Sequence, residues 1–345
     1  MVSSPLRQLH IGIMGAGSIG CYVGGRLAAA GAARVTLIGR MRLAKAIAEH
    51  GLVLREFDHD ELVDASKMRF VTDVKALSSC DVVFLCVKSG ATEDAARTLA
   101  QELDANATIV SLQNGLRNPA LLRKHLPHNR VVAGVVGFNV VMHEGPVIHH
   151  TTTGALIVET GHDLRDSEWV QALRSAGIEV QEVEDIAPEQ WTKLLVNLNN
   201  AVSALSGAPT QELILSRQYR RIMTMLLDEA LLVIEAAGIR PARFRGVPLR
   251  LMSLILKLPT PLVRLVVRAQ LRVDPQSRAS MWQDLERRRP TEVDFLNGEI
   301  VLLAEELSLN APRNRRMVEL VREAERAGLG CPQMHADELF KALSQ

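Results

Sequence analysis

Gly15, Gly17 and Gly20 stand in the pattern G-x-G-x-x-G, directly behind the apolar run "LHIGIM" and at the head of a helical run from Ser18 to Gly31. A strand that turns this tightly into a helix leaves few folds open. The first glycine permits the turn, the second lets backbone approach a pyrophosphate, and the third lets the helix pack close to the strand. Phosphate charge would then lie at the helix N-terminus, among the first-turn amides of Ser18, Ile19 and Gly20. The pattern is read as a cofactor cradle, with a purely structural glycine turn as the competing reading.

The strand–helix unit then recurs along the chain. "ARVTLIGR" is a second strand and "LAKAIAEHG" a second helical stretch. "DVVFLCVKS", "ATIVSLQNG" and "RVVAGVVGFNVV" are further apolar strands, with "ATEDAARTLAQEL" a helix after the first of them. Continuous apolar strands separated by helices predict a parallel sheet covered on both faces. The segments "VIHHTTTGALIVET" and "EVQEVED" are expected to extend it as an antiparallel hairpin. Beyond Pro188 the period becomes helical, in "PEQWTKLLVNLNNAVSAL", "YRRIMTMLLDEALLVIEAAG", "SRASMWQDLERR" and "TEVDFLNGEIVLLAEEL". A length of 345 residues suits two cores. The reading is therefore an α/β Rossmann-type N-terminal domain over 1–186 that binds a dinucleotide, and an all-α C-terminal domain over 187–345.

Composition narrows the partners. With 40 Lys plus Arg against 39 Asp plus Glu there is no basic excess of the kind a nucleic-acid surface needs. Cys21, Cys80, Cys86 and Cys331 show no metal-ligand spacing and read as free thiols, so no metal is expected. "LRLMSLILKLPTPLVRLVVRAQL", residues 249–271, is broken by Lys257, Arg264, Pro259 and Pro261. It reads as two short helices with an elbow and not as a membrane span. The apolar helices near 225–270 could complete a core or form a homodimer contact. The first apolar run has no basic leader, which reads as a cytoplasmic protein.

Where Rossmann folds read the ribose, at the end of the second strand, NAD-binding versions place an acidic residue. Here the strand ends in Gly39-Arg40, with Arg42 close behind. A guanidinium can pair a 2′-phosphate through two parallel bonds, which predicts NADP over NAD. A solvated surface arginine is the alternative.

The chain resembles the ketopantoate reductase (2-dehydropantoate 2-reductase) family, through five landmarks in order: "GAGSIG", the "VK" of "FLCVKS", "LQNG", "WTKLLVN" and "SMWQDLERRRPTEVDFLNG". The resemblance implies reduction of a branched 2-oxo acid by NADPH, on the route to pantothenate and coenzyme A, in a cleft between a Rossmann-type and a helical domain. It also implies roles for particular residues. Taken alone, Lys193 reads as a surface lysine; the resemblance makes it the catalytic acid. Asn197 lies some 40° from it around a helix and Asn200 roughly 20° on the other side. These two amides are expected to bind substrate, though a polar ladder between helices would show the same stripe. Ser280 is expected to hydrogen-bond the substrate carboxylate or a neighbouring group, with a solvent-facing serine as the alternative. Glu292, after Pro290-Thr291, is expected at a helix start whose dipole favours its ionised form, orienting Lys193 or the substrate. Asn114 is expected near both nicotinamide and substrate, Lys88 near the cofactor phosphate or ribose, and Gln113 behind them.

Two positions depart from the family pattern. Ala201 stands where many members carry a substrate-binding asparagine, and Gln211 aligns with another; Asn200 is expected to take over. No role is assigned to His149 or His150, and the stretch 243–276 is longer than in compact members, with no role assigned to it. The functional expectation is ketopantoate reduction. Its rivals are a relative reducing another branched 2-oxo acid and a silent NADP-binding regulator.

Overall fold

The computed structural model describes residues 8–56, 59–161, 163–266 and 278–344. The chain forms two compact units dividing at Ile186 and Ala187, except that Asn114–Leu116 belong to the second.

Among the described residues the first unit holds twelve strands: β1 (His10–Met14), β2 (Arg34–Ile38), β3 (Leu52–Glu56), β4 (His59–Val63), β5 (Arg69–Val71), β6 (Val82–Leu85), β7 (Thr108–Ser111), β8 (Arg130–Val136), β9 (Asn139–Met142), β10 (Val147–Thr152), β11 (Leu156–Glu159) and β12 (Val180–Val183). Its helices are α1 (Ser18–Ala29), α2 (Met41–His50), α3 (Thr92–Glu102), α4 (Asn118–His125) and α5 (Leu164–Ser175). The main sheet runs β12-β11-β8-β7-β6-β1-β2-β5. All neighbours pair in parallel except β8 and β11. The fold is thus the expected Rossmann type.

Side-chain alternation explains the two-faced covering. Ile11, Ile13, Val82 and Phe84 enter one apolar cluster, whereas Met14, Val83 and Leu85 enter another on the opposite face. Strands buried on both faces are near-continuously apolar, which is why β6 and, after its first residue His10, β1 read as apolar runs. The chain leaves β1 toward β2 on one side and returns through β6 on the other. A crevice at the carboxyl ends of these strands is where such sheets take ligands.

Two expectations are corrected here. "VIHHTTTGALIVET" and "EVQEVED" do not form a hairpin: β11 and β12 pair in parallel, joined through α5, and within the main sheet the described antiparallel pairing is β8–β11. The "VIHHTT" portion leaves the main sheet altogether. It is β10 of a second, four-stranded sheet, β4-β3-β10-β9, which the sequence reading did not contain. His150 on β10 meets Glu56 at 2.6 Å, and Glu56 also accepts the Tyr22 hydroxyl at 2.7 Å, tying this sheet to α1.

The second unit is helical: α6 (Ala187–Asn197), α7 (Asn199–Ser206), α8 (Thr210–Leu215), α9 (Arg217–Ala236), α10 (Leu249–Lys257), α11 (Thr260–Val266), α12 (Ser280–Glu286), α13 (Asn297–Glu306), α14 (Pro312–Ala327) and α15 (Ala336–Ser344). The expected elbow falls at Leu258-Pro259, between α10 and α11; of the 249–271 run, residues 267–271 lie outside the described residues, as do 267–276 of the stretch 243–276. No helix among the described residues is long and apolar enough to cross a membrane. Most apolar residues of α9 are core, whereas Leu251, Leu254, Leu262 and Leu265 on α10 and α11 are exposed.

Two buried charges are structural. Arg220 is 1% exposed and donates to the carbonyls of Ile214, Leu215, Leu256 and Leu258, satisfying chain ends of α8 and α10. Glu229 caps α14, accepting from the amides of Arg313 at 3.0 Å and Asn314 at 2.8 Å and from Asn314 Nδ2 at 2.9 Å. Removing a buried acceptor leaves its donors unpaired, at about 1–3 kcal/mol. Glu229→Ala is expected to lower the melting temperature by roughly 5–10 °C, measured by calorimetry. A change below about 1 °C would show that the cap contributes little.

Candidate functional site

The glycine loop of the first unit fits a dinucleotide phosphate group on its own geometry. Gly15 has φ 105°, and a β-carbon there would lie 2.6 Å from the Val87 amide nitrogen. Gly20 packs so close that a β-carbon would stand 2.3 Å from the Gly15 carbonyl oxygen. Gly17 differs: no atom lies within 4 Å of where its β-carbon would be. It is also the N-cap of α1, which no side chain caps. Open space at Gly17 together with the uncapped amides of Ser18, Ile19 and Gly20 is the form an anion cradle takes.

The loop is bonded to the end of β2, with Gly15 and Ala16 N–H donating to the Ile38 carbonyl at 3.2 and 2.9 Å. Gly39 follows, and a β-carbon there would meet both Ala16 and Phe70 at 2.7 Å. This tight passage delivers Arg40, exposed at the N-cap of α2, beside the loop, with Arg42 also exposed. Lys88 is exposed just beyond β6, past the Cys86–Val87 backbone that Gly15 touches. Gln113 holds this corner from behind: its Nε2 donates to the Val87 carbonyl at 3.0 Å and to Thr92 Oγ1 at 2.7 Å.

In the second unit, Lys193 lies on α6 between the buried Thr192 and Leu194 and is itself half-buried. Among the described residues its ammonium has no hydrogen bond or ion pair. Burial, followed by the positive charge of Arg245, pulls it down to about 8. Asn197 and Asn200 are likewise half-buried with no hydrogen-bond partner among the described residues. The expected continuous helix is interrupted at Leu198, whose φ −56° and ψ −28° remain helical, so the three polar residues keep one stripe.

Ala201 is fully buried in the helical core, where a larger amide would have to displace apolar neighbours. Gln211 is half-buried in the first turn of α8.

Asn114, grouped with the second unit, donates from Nδ2 to Glu292 Oε2 at 3.0 Å. Glu292 is buried but forms no ion pair with Lys193, and it does not begin an α-helix. It precedes a single 3-10 turn, Val293–Phe295, and α13 starts only at Asn297, so the helix-dipole expectation fails. Ser280 is exposed as the first residue of α12.

One element escaped the sequence reading. Ala242 N–H donates to the Pro188 carbonyl at 3.1 Å, and the Ala242 carbonyl accepts from Thr192 Oγ1 at 2.9 Å, fastening the following turn to α6 beside Lys193. That turn carries Arg245 and Gly246 between Phe244 and Val247. An x-Gly pair flanked by apolar residues was the available signal.

A glycine cradle at the switch point of a parallel sheet, and a half-buried lysine with no partner among the described residues on a polar stripe of a helical unit, define a Rossmann-type oxidoreductase. Residues 11–162 match the family model described as "Ketopantoate reductase PanE/ApbA", and residues 185–325 match its C-terminal model. The chain belongs to the ketopantoate reductase family. A 2-dehydropantoate 2-reductase of Halobacterium salinarum is 29% identical over 331 residues, covering 93% of this chain and 100% of that protein. One of Pyrococcus abyssi is 30% identical, covering 92% and 98%. The crystal structure of a PanE/ApbA family ketopantoate reductase from Ralstonia eutropha JMP134 superposes with a TM-score of 0.78 at 31% identity, covering 93% and 99%.

Proposed function

We propose that this protein reduces the 2-oxo group of ketopantoate with NADPH, giving pantoate on the route to pantothenate. The observation that carries the reading is Lys193: an ammonium drawn into a half-buried position, bonded to none of the described residues, on a stripe with two equally unengaged amides. Such groups are stable inside a fold when a ligand completes them. The names of the relatives support ketopantoate as that ligand.

NADPH, when bound, supplies the hydride. Gly17 and the amides of Ser18, Ile19 and Gly20 hold its pyrophosphate, Gly15 shapes the turn, Arg40 takes the 2′-phosphate, and Lys88 adds a cation at the end of β6. Lys193 holds a proton on Nζ and passes it to the carbonyl oxygen as negative charge develops there. Asn197, Asn200 and Asn114 orient the substrate, and Ser280 hydrogen-bonds its carboxylate. Glu292 fixes the Asn114 amide through the 3.0 Å bond, so its catalytic part is to position that donor.

The test is spectrophotometric oxidation of NADPH with ketopantoate, with NADH run in parallel. Turnover with NADPH and a clear preference over NADH are expected. No turnover with ketopantoate, but turnover with another branched 2-oxo acid, would overturn the named substrate. The preference has its own check. Arg40→Ala is expected to reduce discrimination in favour of NADPH at least about tenfold, the size of a lost charge-assisted pair. Unaltered discrimination would remove Arg40 from cofactor selection.

A further inference from the structure

The turn that carries Arg245 is built against its own local preference. Phe244 and Val247 exchange backbone hydrogen bonds of 2.9 and 3.0 Å across Arg245, at φ 50°, and Gly246, at φ 80°. Two positive φ angles mark the mirror-image hairpin turn whose first central position favours asparagine. An arginine there adopts a left-handed conformation that its β-carbon resists. Strain of this kind is retained where a side chain is needed in one place.

That place is beside Lys193. Ala242 bonds Pro188 and Thr192 at 3.1 and 2.9 Å, and Thr192 is the chain neighbour of Lys193. The Arg245 guanidinium carbon lies 5.6 Å from the Phe244 ring centroid, the residue remains exposed, and its charge reaches Lys193. Two cations at one site call for a ligand with more than one negative centre.

A 2-oxo acid has two such centres: the carbonyl oxygen that becomes an alkoxide, and the carboxylate next to it. The proposed function gives Lys193 to the first and only the neutral Ser280 to the second. A planar guanidinium grips a carboxylate through two parallel N–H donors. We propose that Arg245 is the residue that binds the substrate carboxylate and selects 2-oxo acids over neutral 2-oxo compounds. This assignment rests on the 2-oxo acid reading.

Arg245→Asn tests it without breaking the turn, because Asn-Gly is the preferred pair for this geometry; Arg245→Gly serves as a second variant suited to the same φ. The probes are ketopantoate and its primary amide, assayed with NADPH, together with calorimetric titration of ketopantoate. Both variants are expected to melt no lower than the parent, since asparagine and glycine relieve the left-handed strain. KM for the acid should rise about 10–100-fold with kcat within about threefold, and kcat/KM for the amide should not change. A variant that keeps the parent's preference for acid over amide overturns the assignment of Arg245 alone. The same acid–amide comparison is made with whichever branched 2-oxo acid the parent turns over; a parent enzyme that turns over none of them overturns the 2-oxo acid reading, and this assignment with it.

Discussion

Lys193→Ala is expected to lower kcat for ketopantoate reduction by about 10²–10⁴, the usual contribution of a positioned general acid. NADPH affinity, measured by fluorescence titration, should stay within about twofold, because the cradle belongs to Gly15–Gly20. Burial holds the Lys193 ammonium down to about 8, so the parent's kcat/KM for reduction should fall as pH rises through that value. Turnover that survives Lys193→Ala, or a flat profile between about pH 7 and 9, would remove this lysine from the chemistry. Stability should move the other way. The folded-state value lies below the unfolded one, so between about 8 and 10.5 the folded state binds fewer protons and the parent gains stability with rising pH. Lys193→Met should therefore raise the melting temperature most below about pH 8, by ~1–3 kcal/mol in stability, and the gain should shrink toward pH 10.5.

The second large effect separates two glycines of one motif. At Gly17 a β-carbon meets nothing within 4 Å, so Gly17→Ala should leave the melting temperature unchanged. It should weaken NADPH roughly 10–100-fold, about 1.4–2.8 kcal/mol, because the added methyl would stand where the proposed cradle takes a phosphate. At Gly20 a β-carbon falls 2.3 Å from a backbone oxygen and 2.9 Å from Ile13, so Gly20→Ala should destabilise the fold itself by about 1–3 kcal/mol. Calorimetry and a binding titration on both variants check this. Equal losses of stability in the two would contradict the distinct roles read from the packing.

What could be read in the sequence divides along physical lines. The main sheet was legible because strands buried on both faces, such as β6 and β1 beyond His10, are near-continuous apolar runs. The second sheet was not, because β4 reads HDELV and β10 reads VIHHTT, strands without an apolar run, and the β3–β10 pairing that joins its two halves spans some ninety residues of chain. The hairpin expectation failed for a different reason. α5 separates β11 from β12, yet its weak amphipathic pattern "LRDSEWVQALRS" did not announce a helix. In the candidate site, the Lys193 stripe followed from helical period alone. The Asn114–Glu292 bond joins residues 178 apart in the chain and could not be seen locally. Glu292 was misjudged because Pro-Thr-Glu resembles a helix start, whereas the chain makes one 3-10 turn first.

The parallel pairing of β3 with β10 joins Val53 to Val147 and neighbours in register. During synthesis at about 5–20 residues per second, the β3–β4 hairpin must therefore wait roughly 5–20 s for the strand that completes it. Through that interval Leu52–Glu56 presents an open edge, the kind of template on which nascent chains aggregate. The Asp60 and Glu61 carboxylates and the Arg55 guanidinium on this ribbon give the waiting edge a charged character that discourages pairing with a stranger.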